Sequence, residues 1–337
     1  MKKKDFLKKK VKPVEVRKST VNELVLQMNE TGFQGKSLAE AVNIIEKMIK
    51  ENDNTIFLGY SGSMSTAGQW KIIKWLIENN LIDCIVSTGA NVSEDVFEAM
   101  GFNYFQGTHL ADDSELLKNN IDRFYDVYAN EFDYRKMESL IVEFMDSLED
   151  KRPYSSAEFL FLFGKFQAEK KIDSITASAF KNKIPVFSPA LADSAYGVAA
   201  FLSRKKGKKI ILDQFKDFEQ LGEIACNSEK TSVIYIGGGV PKDTIQLTTI
   251  LSHLLNRKKD SSHKYAVQIT SDSPQWGGLS GCTLEEAVSW GKIHKDALKT
   301  TCYSDATISL PIIASALSER IRGKRKKKNL EFVFREI

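Results

Sequence analysis

The stretch TSVIYIGGGVPKDT, residues 231–244, passes from an apolar run through three glycines into a helical pattern. A short unbroken run of valine, isoleucine and tyrosine closed by glycine reads as a buried strand. The same order recurs along the chain. Apolar runs that end in small or polar residues are TIFLGYSGS (55–63), IDCIVSTGAN (82–91), IPVFSPALADS (184–194), KIILDQF (209–215) and YAVQITSDS (265–273). Helical patterns lie between them, such as AGQWKIIKWLIENN (67–80) and FKDFEQLGEIACN (215–227). Ser37 is read as the cap of an earlier helix, SLAEAVNIIEKMIKE (37–51). Strands alternating with helices predict an α/β fold with a mostly parallel, doubly covered, Rossmann-like sheet.

No internal repeat or linker divides the chain, so residues 21–319 are expected to form a single large domain. Residues 1–20 read as a flexible basic arm, and 320–337 as a basic C-terminal tail. The helical stretch 112–164 reads as an insertion or a cap on the sheet.

Ligands of open α/β sheets bind beyond the carboxyl ends of the strands. Three of these ends are rich in small residues: GYSGSMSTAG (59–68), STGANVSED (87–95) and GGGVPKDT (237–244). Such loops bring backbone N–H groups close to phosphates at helix N-termini. Together they predict a nucleotide or dinucleotide pocket. The chain has neither GxGxxG nor GxxxxGK[ST], which disfavours a standard dehydrogenase and a Walker-type phosphoryl transferase. Carboxylates near the strand ends (Glu94, Asp95, Asp193, Glu285, Glu286 and Asp305) suit a cation or a ribose hydroxyl.

Composition narrows the classes further. The longest apolar runs fall short of the roughly 20 residues that span a bilayer, and MKKKDFLKKK has no apolar segment after it. Membrane and secretory roles are therefore not expected. The four cysteines form no CxxC pair and the four histidines no HExxH, so reduced thiols, a cytoplasmic setting and no metal centre are expected. Net charge is +4, with much of the positive charge in the N-terminal lysines and in RIRGKRKKK (320–328). No aromatic residue interleaves with that run, which favours a solvated tail over a nucleic-acid site.

One further stretch carries chemistry: TLEEAVSWGKI, 283–293. Thr283 can cap a helix and Glu286 complete a capping box, with Leu284, Ala287, Val288 and Gly291 on one buried face. Lys292 lies beside that stripe. Its ordinary role there would be to cover the core edge with its stem while its head reaches water.

The elements EEAVSWGKI, IGGGVPK, FSPALAD, FLGYSGSMSTAG and YSDATISLP occur in the order, and at about the separations, of the deoxyhypusine synthase family, which this chain resembles from about residue 36 to 317. SDSPQWGGLSGCT looks more like the archaeal and bacterial branches than the eukaryotic one. The resemblance implies NAD-dependent removal of a hydride from spermidine and release of 1,3-diaminopropane. The aminobutyl unit then passes, as an imine on an enzyme lysine, to a lysine of the translation factor 5A precursor. That enzyme lysine matches Lys292. A lysine must shed its proton to attack an imine, and desolvation beside an apolar stripe is the means the sequence offers.

Carried over from the resemblance, NAD contacts fall on Ser63, Thr66, Thr88, Gly89, Glu94, Asp193, Gly238, Ser280, Asp305 and Ala306. The polyamine contacts fall on Glu286, for a terminal ammonium, and on Trp290, for the methylene chain. Val198 and Leu279 stand where the eukaryotic pattern has aspartates, and Thr244 where it has a proton-shuttling histidine. A homospermidine-synthase-like transfer to a small diamine is therefore the runner-up. The resemblance also implies a homotetramer with active sites at dimer interfaces.

Overall fold

Six strands form one parallel sheet: β1 (Asn54–Tyr60), β2 (Cys84–Ser87), β3 (Val186–Phe187), β4 (Lys230–Ile236), β5 (His263–Thr270) and β6 (Ile293–Tyr303). The structure, a computed structural model, describes residues 7–256, 260–323 and 325–337. Residues 1–6 of the basic arm and Lys324 of the basic run lie outside the described residues. Neighbouring strands follow the order β6-β5-β4-β1-β2-β3, every pair parallel. The chain thus builds from β1 to one edge, returns to the centre, and builds from β4 to the other. The two halves part at the carboxyl ends of β1 and β4, where sheets of this kind bind their ligands.

Eight helices serve the description below: α1 (Phe33–Lys50), α2 (Trp70–Glu78), α3 (Asn91–Ala99), α4 (Ala195–Lys205), α5 (Gln214–Cys226), α6 (Gly239–Asn256), α7 (Glu286–Ser289) and α8 (Ala306–Arg320). Side chains alternate across the sheet. Ile56, Leu58 and Tyr60 of β1 join a core with Val42 and Ile45 of α1 and Leu310 and Ile313 of α8. Phe57 joins a second core with Leu221 and Ile224 of α5 and Ile245 of α6. Burial on both faces is why these strands read as continuous apolar runs rather than alternating ones.

Several expectations change. The helix expected at 37–51 begins at Phe33, after Gly32, and Ser37 lies inside it, its hydroxyl donating to the Phe33 carbonyl at 3.3 Å; a shorter helix, Val21–Met28, precedes it. KIILDQF stays outside the main sheet: Ile211–Leu212 pairs only with Pro153–Tyr154. The stretch read as helical from Asp112 contains a hairpin, Ile121–Phe124 and Val127–Asn130, whose connection carries Tyr125 at φ +59°. The basic C-terminal run is not a solvated tail. Arg325 pairs with buried Asp83 at 2.8 Å, and Leu330, Val333 and Phe334 enter the second core, where Phe334 stacks on Phe161 at 3.9 Å. Apolar residues just beyond the lysines draw the segment back onto the fold. Among the described residues no helix is long and apolar enough to cross a membrane.

Candidate active site

The loop after β1 is shaped by a residue of α3. The Asn91 side-chain amide donates to the carbonyls of Tyr60 and Ser61, both at 3.1 Å. Its oxygen accepts the N–H groups of Met64 at 2.7 Å and Ser65 at 3.2 Å. This clamp sets Ser63 against Glu94, hydroxyl to carboxylate, at 2.6 Å, with Thr66 at 3.1 Å from Ser63. Glu94 is almost fully buried, and that burial raises its carboxyl above the ordinary range while the two hydroxyls pull it back. Thr88 donates to the Gly62 carbonyl at 2.7 Å, tying the second loop to the first. Gly89 faces the loop after β3: a Cβ there would stand 2.4 Å from the Ser194 hydroxyl and 2.9 Å from the Leu191 carbonyl.

The triple-glycine loop meets the loop after β5. Gly237 and Gly239 have φ of +75° and +56°, which glycine adopts without strain. A Cβ on Gly238 would lie 2.4 Å from the Ser280 backbone, and the Ser280 hydroxyl accepts the Gly239 N–H at 3.0 Å. Gln268 of β5 holds the two loops together, its amide donating to the carbonyls of Gly237 (3.0 Å) and Ser280 (2.8 Å). Its oxygen accepts from Lys242 at 3.0 Å, and Lys242 also donates to the Cys282 carbonyl. The ammonium of Lys242 is buried, which pushes it below its ordinary range. Ser61 donates to the Gly238 carbonyl, so the loops of both halves of the sheet are joined at the switch point.

Lys292 enters from another direction. The Thr283 hydroxyl accepts the Glu286 N–H at 2.9 Å, but α7 spans only Glu286–Ser289, its cap position is Glu285, and no side chain caps it, so the expected capping box is not formed. Gly291 therefore does not share a buried face with Leu284 and Ala287; it is an exposed turn residue at φ +66°. The turn delivers Lys292 to the start of β6. Its N–H donates to Ala287 O and its carbonyl accepts from His263 N, both at 3.0 Å. Leu284, Ala287 and Ile293 are buried beneath it. The Lys292 side chain, 12% exposed, reaches the second turn of α6, where Nζ lies 3.2 Å from Asp243 Oδ1. The Trp290 ring centroid is 5.4 Å from the same Nζ, and Trp290 is itself 64% exposed. Glu286 lies close enough to influence both Lys242 and Cys282.

The structure thus gathers the expected residues into two clusters joined by the bond between Ser61 and Gly238. One holds Ser63, Thr66, Thr88, Gly89 and Glu94; the other holds Gly238, Ser280, Glu286, Trp290 and Lys292. Asp193 lies in the loop after β3, and Asp305, followed by Ala306, caps α8 after β6 by accepting the Thr307 N–H at 2.7 Å. These loops follow the two edge strands of the sheet, and Gly89 of the first cluster already packs against the one that holds Asp193. A cleft of about 570 Å³ brings Thr66 and Thr307 to a common wall. Val198 and Leu279 are both exposed, and Thr244 is buried, so the residue of α6 that faces Lys292 is Asp243. Sequence reasoning missed Asn91, Lys242, Asp243 and Gln268. Only Lys242, a lysine just inside a helix that follows a glycine loop, carried a visible signal. Among the described residues no group of three or more His, Cys, Asp or Glu side chains could hold a metal ion.

Comparison with known proteins gives a consistent answer. The deoxyhypusine synthase family model matches residues 23–317. The chain is 44% identical over 316 residues to the "probable deoxyhypusine synthase 2" of Methanosarcina mazei, covering 93% of this chain and 91% of that protein. It is 46% identical over 290 residues to the protein of the same name from Archaeoglobus fulgidus, covering 86% and 95%. A "deoxyhypusine synthase-like protein" of Chlorobaculum parvum is 37% identical over 319 residues, covering 93% and 91%. A crystal structure of an Entamoeba histolytica protein described as a deoxyhypusine synthase shares the fold, with a TM-score of 0.65 at 21% identity over 92% of this chain and 96% of that one.

Proposed function

The chain belongs to the deoxyhypusine synthase family, and from that premise we propose that it transfers the aminobutyl group of spermidine, with NAD as cofactor and through an imine on Lys292, to a lysine of the translation factor 5A precursor. It is an enzyme of the aminobutyltransferase type. The observation that carries the reading is the setting of Lys292. Its backbone is fixed on both sides, its amine is aimed at α6, and Trp290 stands beside it.

The residues at the switch point fit a dinucleotide. Gly89 and Gly238 lie where a side chain would collide with the neighbouring loop, and the start of α6 offers a positive helix end. In this reading the triple-glycine loop and Ser280 hold the pyrophosphate, and Ser63, Thr66 and Glu94 hold ribose hydroxyls. The bound cofactor supplies hydride acceptance from spermidine and hydride return to the product imine. Glu286 takes a terminal ammonium of the polyamine, the Trp290 face its methylene chain, and the Lys292 amine the aminobutyl unit. Asp193 and Asp305 belong to the cofactor site in this reading, which is completed by a second copy within a homotetramer. The exposed Trp276, Trp290 and Ile308 are apolar surface that such a partner would cover.

The runner-up, transfer to a small diamine, is favoured by one observation: Leu279, where the eukaryotic pattern has an aspartate, stands exposed beside Ser280. One experiment separates the two. With NAD and labelled spermidine, the protein is offered the factor 5A precursor and putrescine in competition. Label in the precursor, with 1,3-diaminopropane released, is the expected result. Label only in homospermidine would promote the runner-up, and absence of NAD binding by calorimetry would remove both.

A further inference from the structure

Resting on that reading, we propose that Asp243 is the proton carrier of the transfer: it takes the proton that Lys292 must lose and delivers it to the departing amine. Asp243 is the carboxylate that lies within hydrogen-bond reach of the Lys292 amine, Oδ1 to Nζ at 3.2 Å. The contact joins residues far apart in the chain and on different elements, one in the second turn of α6 and one at the start of β6. Local helix preferences do not call for it. Aspartate is a poor helix-interior residue, and the dipole benefit of an acid fades beyond the first turn. The next residue back, Lys242, points elsewhere, to Gln268 Oε1 and the Cys282 carbonyl, and is buried. Lys242 therefore does not occupy Asp243. Asp243 is partly open, its side chain 36% exposed, which leaves it room to face an incoming cationic amine as well as Lys292.

The step balances. The Lys292 ammonium passes a proton to the Asp243 carboxylate, and the freed lone pair forms a C–N bond to the imine carbon of oxidised spermidine. The imine π pair moves to its own nitrogen, which takes the proton held on Asp243. The added Lys292 nitrogen then passes its second proton to Asp243, and its lone pair forms the new C=N bond as the old C–N bond breaks with its pair going to the departing nitrogen. Asp243 delivers that proton to the amine, which leaves as 1,3-diaminopropane. Lys292 keeps the aminobutyl unit as a protonated imine, and the carboxylate of Asp243 is restored. The hydride was removed beforehand by the nicotinamide cofactor of the proposed reaction. Glu286, Lys242, Tyr235 and the Cys282 thiol are other ionisable groups around this pair among the described residues.

The test uses the full-length protein and two readouts. In single turnovers with NAD and labelled spermidine, NADH fluorescence is followed alongside borohydride-trapped label on Lys292. Separately, without NAD, 4-aminobutanal and cyanoborohydride report imine formation at Lys292 alone. Asp243→Ala is expected to slow labelling of Lys292 about 10²–10³-fold in both assays, with NADH formation within about threefold of wild type. Added formate, a small carboxylate able to enter the space left by the side chain, is expected to restore labelling at least about tenfold, and saturably. Asp243→Asn keeps the shape without the base and is expected to be as slow as the alanine variant. An asparagine variant that labels Lys292 at the wild-type rate overturns the proposal, as does a slow alanine variant that formate does not rescue. Wild-type protein that takes its label at a different residue overturns the Lys292 reading itself, and the proposal with it.

Discussion

At the scale of single residues, Lys292 divides between its backbone, which holds the fold, and its side chain, to which the proposed chemistry is assigned. Its backbone is bonded to Ala287 and His263, while the polar contact of its side chain among the described residues is with Asp243, and Trp290 stands beside it. Lys292→Ala is therefore expected to abolish transfer while changing stability by no more than about 1 kcal/mol. NAD affinity should stay unchanged in calorimetry, because the glycine loops are untouched. Gly238→Ala is expected to do the opposite. Its new Cβ would meet the backbone of Ser280 at 2.4 Å, which neither loop can yield cheaply. Calorimetry should find NAD binding at least about tenfold weaker, since the pocket wall itself must move; unchanged affinity would remove Gly238 from the cofactor site. Lys292 and Gly238 could be singled out from the sequence because they sit in distinctive short motifs. Asp243 could not, because its contact with Lys292 is made only by the folding of another element.

At the scale of elements, the strands with continuous apolar runs were plain from composition, and β6 was not. Its sequence, IHKDALKTTCY, is polar at many positions because it lies at a sheet edge with much of its length exposed. The short α7 was overread for a related reason: a capping threonine and spaced apolar residues look the same whether the helix runs one turn or three, and Gly291 ends it. Buried ionisable groups on these elements give a pH prediction. Burial pushes Asp95 of α3 and Asp217 of α5 up to about 7, from 3.8. The folded state then holds protons that the unfolded chain has lost, so their contribution is full below about pH 4 and is lost as pH rises to about 7. His263 of β5 is pushed down to about 3, from 6.5, so its contribution is full above about pH 6.5 and is lost as pH falls toward 3. The aspartates outnumber the histidine between pH 4 and 6.5, each group acting with a slope of up to about 1.4 kcal/mol per pH unit. Asp95→Asn keeps the bond from the Ile175 N–H and removes one of these slopes. The fall in melting temperature between pH 5 and pH 7.5 should shrink in this variant; an unchanged fall would mean that Asp95 titrates normally.

At the scale of the whole molecule, the alternation of strand and helix implied a parallel sheet, but not the order of its strands, which depends on long-range crossovers that no local pattern encodes. Nor did the sequence disclose the docking of the C-terminus, because RIRGKRKKK reads as a solvated charge run while the apolar residues that anchor it come later. Arg325→Ala would leave Asp83 buried without its ion partner, at an expected cost of about 3–5 kcal/mol in denaturant unfolding. Lys326 and Lys327 are exposed on the same run. Replacing both by serine should leave stability within about 0.5 kcal/mol and slow association with an acidic acceptor protein at low salt. A rate that does not respond would place the acceptor on another face. The central claim is that the aminobutyl unit travels through Lys292. Borohydride quenching during turnover with NAD and labelled spermidine, followed by peptide mapping, tests it directly. The account predicts label on the peptide carrying Lys292 and none in Lys292→Ala; label on a different lysine, or undiminished transfer by the alanine variant, would contradict it.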